Sequence, residues 1–541
     1  MHKLLSEYSI GGKFLTILQK MYHGNKVFIK LKNGLLQPFT TTIGVKQGCV
    51  FSPILFNLFI DKISTIFDES CAPVKLNNLN LSCLLWADDL VIFSKTAEGL
   101  QNSISKTQIF YESLGLKINI KKTKILIFNK VGLKLDKAYS FLLNGRNLEI
   151  ADHYQYLGLN LRPSGSMTYA VQELNTKASK AWYSISKILY KHKRMSVDKA
   201  LQLYDSLISP VATYGCEFWL PFSLANKSFK NIENLLSSWE HFVPEKLNQQ
   251  CCRLLLSVHR KASRLAVLGE LGRCPALVGA LSHCLNYKLS LNVQANQSEI
   301  ISSLMTEMRQ MTDTDSDCWL ARVEKVEKLL GLPRISGLSK TSGKVIKNTL
   351  SLKYQNFLMQ KINCTKPGTD GTNHNKLRTY SKVKINFLRE PYLNLVQNRN
   401  QRVWLTRLRT SAHNLAIERG RYCGKPVDQR ICTYCPQPSP TPARPPPTST
   451  TSPPRGHIDD EFHFLMKCET FRNSRNCYFG KIGSLNKGFR NLSENNQFEY
   501  LLSPKSAQEA KVTSKFIKIL FEWREKIDQG LPIHNVGIFY T

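Results

Sequence analysis

The chain has 541 residues, 74 of them Lys or Arg against 40 Asp or Glu, for a formal charge of +34. Such a length accommodates several domains of ~100–200 residues each, and a hydrophobic fraction of 42% excludes wholesale disorder. No apolar run approaches the ~18 residues of a membrane helix, the start lacks a signal-peptide layout, and the basic balance points to a polyanionic partner, most simply nucleic acid.

In chain order, Leu15, Ile17, Leu18 and Met21 recur with a helical period. Residues 27–31 and 37–43 read as strands, with Asn33-Gly34 as their hairpin turn. Ser52-Pro53 opens an apolar helix to about Phe67, with Ser at the N-cap and Pro at the first helical position. Residues 81–94, LSCLLWADDLVIFS, are two short apolar runs meeting at Asp88-Asp89. Residues 101–114 are helical by period and Gly115 stops them; residues 116–128 follow as strand, basic strip and strand. Residues 154–161, YQYLGLNL, read as a further strand, and from 166 to 293 the periods are mostly helical. Residues 294–375 are more polar. Between 376 and 435 there are 13 Lys or Arg against three acidic residues, Glu390, Glu418 and Asp428. Residues 436–454 hold 9 of the 23 prolines among Ser and Thr, which makes a solvated insert. Residues 511–527 read as the last helix.

Two constellations carry chemistry. Asp88 and Asp89 stand between Leu84-Leu85-Trp86 and Leu90-Val91-Ile92-Phe93. Turns often use Asp, but a solvent-side turn seldom has such flanks. Two carboxylates held side by side repel unless a cation lies between them, and hard oxygen ligands favour Mg²⁺, which handles phosphoryl oxygens. Near the other end, Cys432-Thr433-Tyr434-Cys435 precedes His463 and Cys468, spaced H-x₄-C. Together they make a Cys₃His set, a normal structural Zn²⁺ shell. His457 is a rival ligand, but only His463 has the expected spacing to Cys468. The 15 cysteines, an odd number spread from Cys49 to Cys477, do not make a secreted disulfide framework. They fit free thiols plus one metal site in a reducing compartment, nucleus or cytoplasm. Arg402, Arg407 and Arg409, around Trp404, suit phosphate contacts with some stacking.

Several stretches occur in a fixed order: Gly44-Val45-Lys46-Gln47-Gly48-Cys49 with Ser52-Pro53-Ile54-Leu55-Phe56-Asn57; Trp86-Ala87-Asp88-Asp89; Gly115-Leu116-Lys117 with Asn119 and Lys122-Thr123-Lys124; and Tyr156-Leu157-Gly158. Tyr214-Gly215-Cys216-Glu217, Gly269-Glu270-Leu271-Gly272-Arg273 and the Cys/His set follow. This ordered set resembles the reverse transcriptases of non-LTR (LINE-type) retrotransposons, although Trp86 stands where Tyr or Phe is usual. The resemblance implies an α+β fold. A partial polymerase palm, with a small antiparallel sheet and helices, would occupy residues 1–165, and a helical thumb-like region 166–293. A connector at 294–375, a basic region with a zinc knuckle at 376–480 and a helical tail at 481–541 would follow.

It also implies DNA synthesis on an RNA template, with a DNA primer, dNTP and two Mg²⁺ ions, and no membrane partner. In that reading Asp88 is the directly ligating carboxylate and Asp89 its neighbour. Gln47 and Gly48 line the template–dNTP pocket, and Lys122 or Lys124 approaches the triphosphate. The family places a third carboxylate on a strand before the region matched by residues 1–40. The resemblance therefore implies an N-terminally truncated polymerase with Asp61 and Asp68 far from Asp88, an incomplete metal site and impaired transfer. The alternative is a non-catalytic RNA- or DNA-binding remnant.

Overall fold

The structure, a computed structural model, describes residues 2–41, 44–46, 48–128, 139–225, 234–235, 242–314, 318–332, 340–364, 376–396, 398–435 and 456–531. Gln47 and the Pro-rich residues 436–454 lie outside the described residues. The chain divides into two compact units, Met1–Met167 with Leu291–Ser316, and Thr168–Ser290 with Asp317–Thr541. All 15 cysteines are free thiols. Among the described residues no single helix is long and apolar enough to cross a membrane.

The first unit is built from strands of two to four residues paired only in twos. A single continuous antiparallel sheet is not formed among the described residues. Asn25–Val27 pairs with Phe39–Thr41, and inside that ladder Lys30–Leu31 pairs with Gly34–Leu35. The tight turn is Lys32-Asn33, one residue earlier than Asn33-Gly34, because Gly34 (φ 139) is already in the returning strand. Two-stranded ladders cover neither face of each other, so Phe28, Leu31, Leu35 and Phe39 stay exposed. The helix Ser52–Ile60 begins one residue earlier than the expected cap: Phe51 is the N-cap, and the Ser52 hydroxyl donates to the Lys46 carbonyl instead of capping; the helix then gives way to a 3₁₀ turn, Asp61–Ile66.

The helix Ala97–Ser113 starts at Thr96, whose hydroxyl accepts from the Gly99 N–H. Gly115 (φ 71) follows its end. Its inner face carries Ile104 onto Ile125, Phe141, Leu143 and Leu148, the core of this part. Lys124–Ile125 pairs in parallel with Glu149–Ile150 and not with the Asp88 hairpin. The helix Glu299–Asp313 packs on the ladder of Val74–Leu76 and Leu79–Leu81, although about 220 residues separate them in sequence.

The second unit is helical among its described residues. Its apolar core includes Trp219, Leu220, Leu268, Leu358, Leu405, Phe464 and Phe516, all buried. The last helix, Ala507–Asp528, begins four residues before the expected one because Ser506 and Glu509 form a reciprocal capping box. It packs along Arg399–Arg409, with Trp404 stacked on Phe521 at 5.0 Å.

The basic stretch 376–435 is held by ion pairs. Arg409 binds Glu270 and Glu390 (2.7 and 2.6 Å), Arg378 binds Glu418 and Glu461 (both 2.6 Å), and Lys384 binds Glu390 (2.7 Å). Burial alone would raise the Glu461 carboxyl, but Arg378 and His413 reverse this and hold it well below the usual range.

Gly272 closes the helix Arg264–Leu271 in the left-handed region at φ 58. A Cβ there would stand 2.6 Å from the Arg389 backbone nitrogen. Gly272→Ala is therefore expected to destabilise the second unit by roughly 1–3 kcal/mol, read as a shift in its denaturant midpoint. An unchanged midpoint would show that the 389 segment yields at no cost.

Candidate functional site

The first candidate is the Asp88 hairpin. Cys83–Trp86 and Asp89–Ile92 pair antiparallel, with Trp86 opposite Asp89. Ala87 and Asp88 are the two turn residues, and Ala87 adopts φ 54, a conformation uncommon for a residue with a Cβ. The continuous apolar runs Cys83–Trp86 and Leu90–Ile92 pair across a two-residue turn, so the carboxylates are presented at the tip. The hairpin is not deeply buried: Trp86 is 66% exposed and Leu84 is also exposed, while Cys83 and Leu85 are half-buried.

Two tyrosines lie in the electrostatic field of the carboxylate pair. Burial, followed by the charges of Cys83 and Asp88, raises the Tyr111 hydroxyl. Burial and the Asp89 charge raise Tyr156. Tyr154–Tyr156 and Leu159–Leu161 form a hairpin of their own, in place of the single strand read from the run. Its turn, Leu157-Gly158, has φ of 45 and 86. Tyr111 lies on the helix Ala97–Ser113 and was not singled out by sequence. The signal available was its position four residues before Gly115, where the helix ends. Tyr111 also lines a cavity of about 420 Å³ with Gln108, Glu112, Gly115, Leu116 and Lys117.

The remaining predicted residues of this unit fall as follows. Gly48 is exposed with φ 77, a backbone that favours glycine. Lys122 is exposed. Lys124 is ion-paired with Glu149, its partner across the parallel ladder, so its ammonium is neutralised locally rather than held free for a triphosphate. Asp61 accepts a hydrogen bond from the Tyr8 hydroxyl at 2.6 Å. Asp68 is bound by Lys106 and Ser70, and Lys106 first among them lowers its pKa to about 2. Among the described residues, no group of three potential metal ligands includes Asp88 or Asp89.

The second candidate is the Cys/His cluster. Antiparallel bridging of Ile431 to Ile458, with the Cys432 N–H donating to the His457 carbonyl, brings the C-x₂-C turn against the start of the His463 segment. His463–Lys467 forms a single π-helical turn, and the Cys468 N–H donates to the His463 carbonyl at 2.7 Å. In an α-helix, residues five apart point ~140° away from each other. The wider π turn brings them back to one side, which is how an H-x₄-C spacing makes a joint site.

Cys435 Sγ lies 3.3 Å from His463 Nε2 and 3.6 Å from Cys468 Sγ, and Cys432 Sγ lies 4.0 Å from Cys468 Sγ. All four ligand atoms fall within 4.8 Å of one another. His457 is not a member; its ring stacks on that of His463 at 5.3 Å. A hydrogen bond from Cys468 is the first of the interactions that lower the Cys432 thiol, with contributions from His463 and Arg524. Arg524 is itself fixed by Asp459 at 2.7 and 2.8 Å and sits over the Tyr434 and Phe464 rings.

The third candidate, the arginine set, is corrected. Arg402 is 2% exposed and donates to the Val396 and Leu255 carbonyls. Arg409 is fully buried between Glu270, Glu390 and the Leu502 carbonyl. Neither reaches a phosphate, because a helix packed on both sides turns its i and i+7 positions inward. Arg407 is half-buried, donates to the Ser257 carbonyl and lies 5.0 Å over Trp404, whose stacking partner is Phe521 and not a base.

Comparison with known proteins bears on residues 3–161, which match the family described as reverse transcriptase (RNA-dependent DNA polymerase). The chain is 31% identical over 172 residues to the retrovirus-related Pol polyprotein from type-2 retrotransposable element R2DM of Drosophila melanogaster, covering 30% of this chain and 16% of that protein. It is 29% identical over 138 residues to the corresponding R2 polyprotein of Nasonia vitripennis, covering 24% and 13%. Over 134 residues it is 25% identical to the transposon TX1 uncharacterized 149 kDa protein of Xenopus laevis, covering 24% and 10%. The chain thus spans about a sixth or less of the length of these three relatives.

Proposed function

We propose, from the premise that residues 3–161 are a reverse transcriptase domain of the non-LTR retrotransposon kind, that the first unit is an RNA-directed DNA polymerase palm with weak nucleotidyl transfer. Its partners would be an RNA template, a DNA primer and dNTP. The observation that carries this reading is the hairpin with Asp88 at its turn and Asp89 opposite Trp86. Two adjacent carboxylates fit one Mg²⁺ by donor chemistry. They do not fit two ions, because the described residues bring no third carboxylate to them. Bound Mg²⁺ would supply charge stabilisation at phosphoryl oxygens. The chain's own part is to present two negative groups at an exposed tip and to leave backbone room at Gly48 for a close-lying strand.

Primer extension by the full chain, with RNA template, DNA primer, dNTP and Mg²⁺, tests this. Turnover below about 1 s⁻¹, the lower edge of ordinary enzymes, is expected, with the residue abolished in Asp88→Asn. Turnover within the ordinary range would refute the impairment. Residual synthesis indifferent to Asp88→Asn and Asp89→Asn would refute the site. The fate of Asp61 and Asp68, both bound elsewhere, favours a second reading in which the palm binds nucleic acid without catalysis; complete absence of extension with retained template binding would select it.

We further infer that Cys432, Cys435, His463 and Cys468 hold Zn²⁺. Three sulfurs and one imidazole nitrogen are the soft tetrahedral set zinc takes. Zn–S of ~2.3 Å and Zn–N of ~2.0 Å place ligand atoms roughly 3.5–4 Å apart; three of the cluster's separations are 3.3, 3.6 and 4.0 Å, and all fall within 4.8 Å. Free thiols at all 15 cysteines accord with a reducing compartment, nucleus or cytoplasm.

A further inference from the structure

The burial of Arg402 and Arg409 removes them from solvent, so the excess positive charge of the second unit must act elsewhere. The helix Thr168–Lys191 buries Ala170, Leu174, Ala178, Trp182 and Leu189. Its opposite face carries Lys177, Lys180, Tyr183, Lys187 and Tyr190, all exposed, at spacings of three and four. Tyr183 and Tyr190 are 68% and 65% exposed, so both rings offer a face to solvent. Seven residues apart, they lie ~10 Å from each other on one side of the helix.

The Tyr190 ring is fixed from behind. The Arg399 guanidinium stands 5.6 Å from its centroid and donates to its carbonyl. The stripe runs directly into a groove of about 570 Å³ whose lining includes Lys191, Lys193, Arg194, Lys199, Asn398 and Asn400. The start of the eleven-residue helix Arg399–Arg409 borders this groove, and the Arg399 N–H is held by the Lys193 carbonyl. Residues 168–199 hold seven Lys or Arg and two acids. Of the acids, Glu173 is half-buried and Asp198 is ion-paired with Arg389.

We propose that this face is a binding path for a single strand of RNA or DNA. Bases stack on Tyr183 and Tyr190, and phosphates lie along Lys180, Lys187 and the groove of Lys191, Lys193, Arg194 and Lys199. Alternating cations and exposed aromatic faces are the means by which unpaired strands are held without sequence preference, and a paired duplex offers no base face to either ring. The path deepens the polymerase reading by assigning a nucleic-acid contact outside the matched residues 3–161, and it does not depend on catalysis.

The test is equilibrium binding of the full chain, without dNTP, to a labelled 16-nucleotide RNA, the same sequence as DNA, and the corresponding duplex. Tyr183→Ala with Tyr190→Ala is expected to weaken single-strand binding roughly tenfold or more with an unchanged salt slope and unchanged duplex binding. Changing Lys191, Lys193, Arg194 and Lys199 to Ala should flatten the slope of log K against log salt by about 3, at ~0.7 per phosphate on a single strand. Equal losses on RNA and DNA identify the shared backbone and base faces as the ligand; a loss confined to one identifies that strand. Wild-type affinity in both variants, or an equal loss on duplex in the tyrosine variant, would overturn the proposal. Unchanged thermal unfolding of the variants excludes misfolding. Primer extension reads the polymerase proposal separately, since the binding measurement contains no dNTP and needs no turnover.

Discussion

With zinc on the Cys432, Cys435, His463 and Cys468 cluster as proposed, its removal from the full chain is expected to lower the melting temperature of the second unit by roughly 10 °C or more, because structural zinc contributes many kcal/mol of folding free energy. The effect should begin locally. The Cys432 and Cys468 N–H groups, bound to the His457 and His463 carbonyls, should lose hydrogen-exchange protection first. Beneath the cluster lie Phe464, Leu465, Phe471 and Phe521, all buried. This apolar floor differs from a free-standing zinc finger, so chelation should leave a loosened, still helical unit. Cys468→Ser should lower the zinc content from one ion per chain and reproduce the shift. A purified chain with no stoichiometric zinc, or one whose melting ignores a chelator, would reduce the four-residue cluster to an arrangement of thiols.

Arg409→Ala is expected to cost about 3–5 kcal/mol, since truncating one member of a buried ion network strands the others. Glu270 is fully buried and would lose both Arg409 bonds, keeping the Tyr392 hydroxyl at 2.6 Å. Among the described residues, Glu390 would keep only Lys384 as an ion-pair partner. Burial by itself would lower the Arg409 pKa, and the charges of Glu270 and Glu390 more than reverse it, so the guanidinium stays charged inside. Arg409→Lys should recover only part of the loss, because an ammonium cannot reproduce the fork that meets two carboxylates and the Leu502 carbonyl. Urea denaturation reads the cost. Stability within about 0.5 kcal/mol of wild type, with a flattened salt slope for RNA binding, would restore to Arg409 the phosphate role its composition suggested.

Much of the candidate site was legible because its signals are short. The apolar runs on each side of Ala87-Asp88 leave only a two-residue turn between paired strands, whatever surrounds them. The Gly115 stop depends on one residue's left-handed φ. The C-x₂-C pair and the H-x₄-C pair each set their geometry within one turn, and they are joined by a bridge next to both, Ile431 to Ile458. The start of the last helix lies in the Ser506 and Glu509 capping box, ahead of the apolar period that marks residues 511–527.

What the sequence by itself determined, then, is the set of local devices: hairpin tips, caps, stops and the ligand spacing of the Cys/His cluster. Only the tertiary structure decided where charge is solvated. Arg409 looks like a surface cation in a basic stretch, and it is buried because Glu270, 139 residues earlier, arrives beside it. Lys124 is neutralised by Glu149 across a parallel ladder that no local pattern announces. The helix Glu299–Asp313 joins the first unit although its neighbours in sequence belong to the second. The reason is one of range. A turn or cap is fixed by contacts a few residues apart, whereas burial of a charge costs free energy that only a partner from a distant segment can offset.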